Sequence, residues 1–92
     1  MASEKDSHLL EFYGTECFHC NEIRPTVEKL EKELKVKIKR IEVWHNAKNA
    51  ELMQKYDQGR CGGVPFFYNT KTNKSLCGAV DKETLKKWML GK

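Results

Sequence analysis

Two cysteines separated by two residues, Cys17-Phe18-His19-Cys20, constrain this chain more than any other feature because of what flanks them. Before them, His8-Leu9-Leu10-Glu11-Phe12-Tyr13 is a short apolar and aromatic run closed by Gly14, the pattern of a buried strand. After them, Ile23, Val27, Leu30 and Leu34 form one stripe of an amphipathic helix, with Glu28, Lys29, Glu31, Lys32 and Glu33 on its wet side. The pair therefore falls at a helix N-terminus, where unsatisfied N–H groups and a partial positive charge stabilise a thiolate. In that position Cys17 is the expected nucleophile toward a disulfide, and Cys20 the thiol that resolves the mixed disulfide. From spacing alone two other readings stay open: half of a metal site, and two unlinked thiols.

The rest of the chain alternates in period. Pro25 lies inside the helical stripe, where a kink is expected unless residues 20–24 form a separate first turn. From Val36 to Trp44, Val36, Ile38, Ile41 and Val43 alternate with charged residues, as in a strand. Asn46 is placed to cap a second helix with Leu52, Met53 and Tyr56 on its apolar face, ended by Gln58-Gly59. Val64-Pro65-Phe66-Phe67-Tyr68 and Ser75–Val80, joined by a short turn, read as a hairpin, and Asp81 caps a last helix carrying Leu85, Trp88 and Met89. The order is βαβαββα, an α/β chain with a four-stranded mixed sheet and helices on both faces.

At 92 residues the chain is read as a single domain over 1–92, with residues 1–7 as a flexible N-terminal tail. Hydrophobic residues at 39% and charged residues at 33% suit a globular protein rather than a disordered one. No stretch approaches the roughly 20 apolar residues of a membrane span. The net charge of +4 is spread along the chain, not gathered into the basic patch that nucleic-acid capture needs, so neither membrane nor nucleic acid is an expected partner. No secretory leader is visible in MASEKDSH, so the expected location is the cytoplasm, or an organelle after removal of a targeting peptide.

With these residues in place, the sequence resembles the thioredoxin superfamily. In thioredoxins a buried acid stands on the strand before the first cysteine, matched here by Glu11. A proline lies in the active-site helix, matched by Pro25. A cis-proline opposite the dithiol follows a small or branched residue, matched by Val64-Pro65, and a glycine near the end of the final strand is matched by Gly78. The resemblance spans Leu9 to Leu90. It implies a thioredoxin-like fold and a thiol–disulfide oxidoreductase with no cofactor and no metal. The implied substrates are protein disulfides or glutathione mixed disulfides, and the implied electron source is a thioredoxin reductase-like enzyme or glutathione; the protein is expected to be a monomer. Phe18, Val64 and Pro65 would meet the substrate. A carboxyl buried as Glu11 would be should have a raised pKa and so suit proton exchange with Cys20, whereas an inward-pointing Arg40 would lower it again.

Three departures from the family pattern carry expectations. The chain lacks the first strand and helix of a full thioredoxin, which makes Val36–Trp44 a sheet edge and Lys35, Lys37, Lys39 and Arg40 charges that deter edge pairing. Phe18-His19 replaces Gly-Pro. His19 would stabilise the Cys17 thiolate while Glu16 repels it, giving a potential between roughly −270 and −120 mV. Cys61, four residues before Pro65, reads as a regulatory thiol, a glutathionylation site or a metal ligand, and Cys77 as a small buried hydrophobe. His8 and His45 read as structural or surface residues. Two rival readings share the fold: a metal- or iron–sulfur-binding module, and an interaction domain without turnover.

Overall fold

The computed structural model describes residues 7–92, so the expected tail, except for Ser7, lies outside the described residues. The elements run β1 (Leu9–Tyr13), α1 (Phe18–Leu34), β2 (Lys39–Glu42), α2 (Ala47–Asp57), β3 (Phe66–Asn69), β4 (Lys74–Cys77) and α3 (Lys82–Met89). They form one four-stranded sheet of order β2-β1-β3-β4. β1 is parallel to β2 and antiparallel to β3, and β3 pairs antiparallel with β4. The mixed sheet and the βαβαββα order are those expected.

Alternation along β1 and β3 divides the apolar residues between two cores. Leu9 and Phe67 join Ile23, Val27 and Leu30 of α1 and Leu85, Trp88 and Met89 of α3 on one face. Leu10, Phe12 and Phe66 join Ile41 of β2 and Met53 of α2 on the other. Each large side chain so buried contributes about 1.5–3 kcal/mol, and the sheet between the cores fixes both sets of helices. The caps that the sequence suggests are made: Asn46 accepts from the Asn49 N–H at 3.0 Å and Asp81 from the Thr84 N–H at 2.8 Å.

Two details differ from the sequence reading, and two others decide between its alternatives. α1 runs unbroken from Phe18 to Leu34 with Pro25 inside it, so residues 20–24 are not a separate turn. β2 begins only at Lys39, because Lys35 takes the left-handed conformation at the end of α1 and the Glu31 carboxylate accepts the Ile38 N–H at 2.7 Å. β4 ends at Cys77, since Gly78 has φ of 88° and turns the chain away. β2 is an edge as expected, yet Arg40 does not guard it. Its guanidinium turns inward to Glu11, its partner in the sheet register.

Candidate redox-active site

The site is assembled at the junction of β1 and α1. The Cys17 N–H donates to the Gly14 carbonyl at 3.0 Å, which closes the turn after β1. Cys17 then serves as the N-cap of α1, its Sγ accepting the Cys20 N–H at 3.2 Å. No acidic residue occupies the first turn of that helix, so nothing there offsets the positive end of its dipole. Cys17 and Cys20 form a disulfide with their Cα atoms 5.2 Å apart. Cys20 is fully buried, while Cys17 keeps a sliver of exposure at 5%.

Opposite Cys17 stands the segment ahead of β3. The Val64-Pro65 peptide bond is cis. The Val64 carbonyl oxygen lies 3.8 Å from Cys17 Sγ, and the Pro65 carbonyl accepts the Gly78 N–H at 2.8 Å. Val64 and Pro65 thus sit where the sequence reading puts them. Phe18 projects into solvent at 73% exposure, its ring edge-on to that of His19. The His19 imidazole is also exposed, with Nδ1 3.3 Å from a Glu22 carboxylate oxygen.

Glu11 is completely buried on the α1 face of the sheet. Arg40 Nε lies 3.2 Å from its Oε1, but the N–H is not aligned on the carboxylate, and neither oxygen has a hydrogen-bond partner among the described residues. The Arg40 guanidinium also lies over the Tyr13 ring, 4.6 Å from its centre. Two opposing effects act on the carboxyl. Burial pushes its pKa up and Arg40 pulls it down; burial is the larger, leaving the value raised to about 7. Glu11 therefore takes up and releases a proton near neutral pH, as its place among apolar neighbours suggested, despite the inward arginine.

The loop from Gly14 to Glu16 is braced by the end of β2 and the segment after it. The Glu42 carboxylate accepts from the Thr15 N–H at 2.9 Å, the Thr15 hydroxyl at 3.1 Å and the His45 N–H at 2.7 Å. His45 Nε2 reaches both oxygens of Glu16, at 2.7 and 2.8 Å. The Glu16 carboxylate holds the His45 pKa above its ordinary value, and the charge expected to face the thiolate has the His45 imidazole beside it. Glu16, Glu42 and His45 also bring ligand atoms together, yet each carboxylate already has donors within the protein. Trp44 covers Gly14, and a side chain at that glycine would overlap its indole. The sequence reading left His45 and Trp44 as surface or packing residues; neither stands in a motif that signals its link to the cysteine loop.

The remaining cysteines are not as expected. Cys77 is exposed rather than buried, and it forms a disulfide with Cys61, with Cα atoms 5.5 Å apart. In this structure Cys61 is therefore a bonded sulfur and not a free thiol. Asp57, buried at the end of α2, accepts the Cys61 N–H at 2.7 Å and the Gly62 N–H at 2.9 Å. Beside this loop a groove of about 510 Å³ is lined by Val43, Trp44, Met53, Gln58, Gly63 and Val64.

A disulfide-bonded C-x-x-C at the N-cap of the first helix, facing an X-Pro segment across a β2-β1-β3-β4 sheet, defines a protein of thioredoxin-like fold with a dithiol centre. The family profile of thioredoxin matches residues 1–91, and the chain belongs to that family. Among solved structures it is similar to the oxidised thioredoxin of Plasmodium falciparum, with a TM-score of 0.58 and 20% identity over 89% of this chain and 76% of that one. No curated protein matches the sequence. Family and cysteine pair together support thiol–disulfide oxidoreductase chemistry in general terms.

Proposed function

We propose that the protein reduces or exchanges protein disulfides, with Cys17 as nucleophile and Cys20 as resolving thiol. The observation that carries this reading is the placement of Cys17 Sγ at the start of α1, on the Cys20 N–H and opposite the Val64 carbonyl. In the reduced protein the same N–H and the helix dipole stabilise a Cys17 thiolate. The thiolate attacks one sulfur of the substrate disulfide and expels the other as a thiolate. Cys20, losing its proton, then attacks Cys17 Sγ, which releases the second substrate sulfur and closes the Cys17–Cys20 disulfide; two electrons pass to the substrate. Glu11, with its pKa near neutrality, receives the Cys20 proton through water. The exposed His19 imidazole flanks the turn that holds Cys17 and tunes its thiolate, while Phe18 and the backbone at Val64-Pro65 meet the substrate chain. A thioredoxin reductase-like enzyme or glutathione returns the pair to the dithiol, and a cytoplasmic location suits that cycle.

The test is trapping. Cys20→Ser should accumulate a mixed disulfide through Cys17 with a protein disulfide substrate, and Cys17→Ser should lose turnover altogether. Unimpaired turnover by Cys17→Ser, or a mixed disulfide carried by a different cysteine, would overturn the assignment.

A further inference from the structure

We propose that Cys61–Cys77 is a second redox-responsive site, whose opening by a low-molecular-weight thiol or a protein dithiol loosens the segment facing Cys17 and weakens the grip on protein substrates. The inference rests on the exchange function proposed above and adds a means of controlling it.

The argument starts from what the bond joins. Cys61 lies in the glycine-rich strap between α2 and β3, and Cys77 ends the edge strand β4. Cys77 pairs in register with Phe66, the residue after Pro65, and the neighbouring Gly78 N–H is held by the Pro65 carbonyl. On the strap side, Cys61 Sγ lies 3.3 Å from the Gly63 carbonyl oxygen, and the next carbonyl, that of Val64, lies 3.8 Å from Cys17 Sγ. The second disulfide thus clasps the segment that faces the first.

With the bond open, the strap keeps its two hydrogen bonds to Asp57, which hold the Cys61 and Gly62 N–H groups. Beyond them the chain passes through Gly62, at φ of 70°, and Gly63, neither of which has anything within 4 Å of where a side chain would stand. Two unpacked glycines then separate the Asp57 anchor from Val64, and glycine resists reorientation least of all residues. Neither core needs the bond to close, because Cys77 is exposed and Cys61 is only half-buried at the margin of the α2-side core. Its exposure also makes Cys77 the sulfur an incoming thiolate reaches. Two donor thiols give up two electrons and two protons in the process. The first thiolate attacks one sulfur, the S–S bond breaks, and the second donor displaces the protein thiol, so the donor closes to its own disulfide while Cys61 and Cys77 become thiols.

Two measurements test this. In a Cys17→Ser/Cys20→Ser variant equilibrated in glutathione buffers, alkylation and mass spectrometry should show Cys61–Cys77 opening and closing reversibly. A pair that stays closed in the most reducing buffer overturns the proposal. In an insulin-reduction assay poised where the titration shows Cys61–Cys77 still closed in the parent, Cys61→Ser/Cys77→Ser should raise KM about fivefold or more, while its reaction with 5,5′-dithiobis(2-nitrobenzoate) stays within about twofold of the parent. An unchanged insulin KM, or a parallel loss on both substrates that marks a purely structural bond, also overturns it. A parent inactive on both substrates refutes the function proposed earlier instead; the two failures are told apart because the titration uses protein without the active-site cysteines.

Discussion

Glu11 offers the sharpest quantitative test. Its carboxyl is fully buried, and its pKa stands at about 7 against an ordinary value of 4.5. The folded protein therefore holds this proton more tightly than the unfolded chain does. For a raised acid the sign is fixed: stability is greatest below the unfolded value, falls as pH rises from about 4.5 to about 7, and stays low above that window. Each pH unit of the gap is worth about 1.4 kcal/mol, so the loss comes to about 3 kcal/mol. Glu11→Gln removes the proton equilibrium while keeping much of the shape. The stability of the oxidised variant relative to the oxidised parent should therefore improve by about 3 kcal/mol between pH 4 and pH 8. Urea unfolding across that range measures the difference, in which the other titrating groups largely cancel, and the ¹³Cδ shift of Glu11 reports its titration directly. Arg40 is the chief group holding the value down, so Arg40→Leu should push the Glu11 titration higher still. A flat difference would show that Arg40 fully offsets burial and leaves the carboxyl at its ordinary value. A difference that runs the other way would show that Arg40 outweighs burial, and the proton-exchange role for Glu11 would fall with it.

Other outcomes follow from the loops around the site. His45 should titrate above 6.5 by NMR, and Glu16→Gln should bring it back toward that value, since Glu16 is the main cause of the rise; an unmoved titration would refute the pairing. Gly14→Ala places a methyl group against Trp44, which should displace the half-exposed indole and red-shift its emission, at a cost of about 1 kcal/mol or more by urea unfolding. Asp57→Ala removes the acceptor of two strap N–H groups and should destabilise the protein by about 2 kcal/mol, whereas a change within 0.5 kcal/mol would show that water replaces it freely.

The element order was legible because each boundary is marked locally. Asn46 and Asp81 cap helices through their own side chains, Gln58-Gly59 ends one, and Gly14 closes the first strand. Glu11 stood out as a charge within an apolar run, and that contrast is what its raised pKa reflects. What the sequence hid depends on register. Lys39 and Arg40 look alike as edge charges, and only the alignment of Glu11 with Arg40 across β1 and β2 turns one of them inward. Cys61 and Cys77 stand in different elements, and their union requires the β3–β4 pairing that sets Cys77 beside Phe66. β2 came out shorter than its alternation suggested because Glu31, a residue of the preceding helix, takes the Ile38 N–H.

The brace of Glu42, Thr15, His45 and Glu16 bears on protein engineering. The four residues come from two segments far apart in the chain, the loop before α1 and the end of β2 with the loop after it, and their hydrogen bonds hold the approach to Cys17 from outside the C-x-x-C itself. The Phe18-His19 dipeptide is consequently not a portable cassette. Grafted together with Glu16 into a scaffold without His45, it would bring a carboxylate with no imidazole beside it, next to a nascent thiolate. A faithful transplant has to move residues 14–20 and 42–46 together.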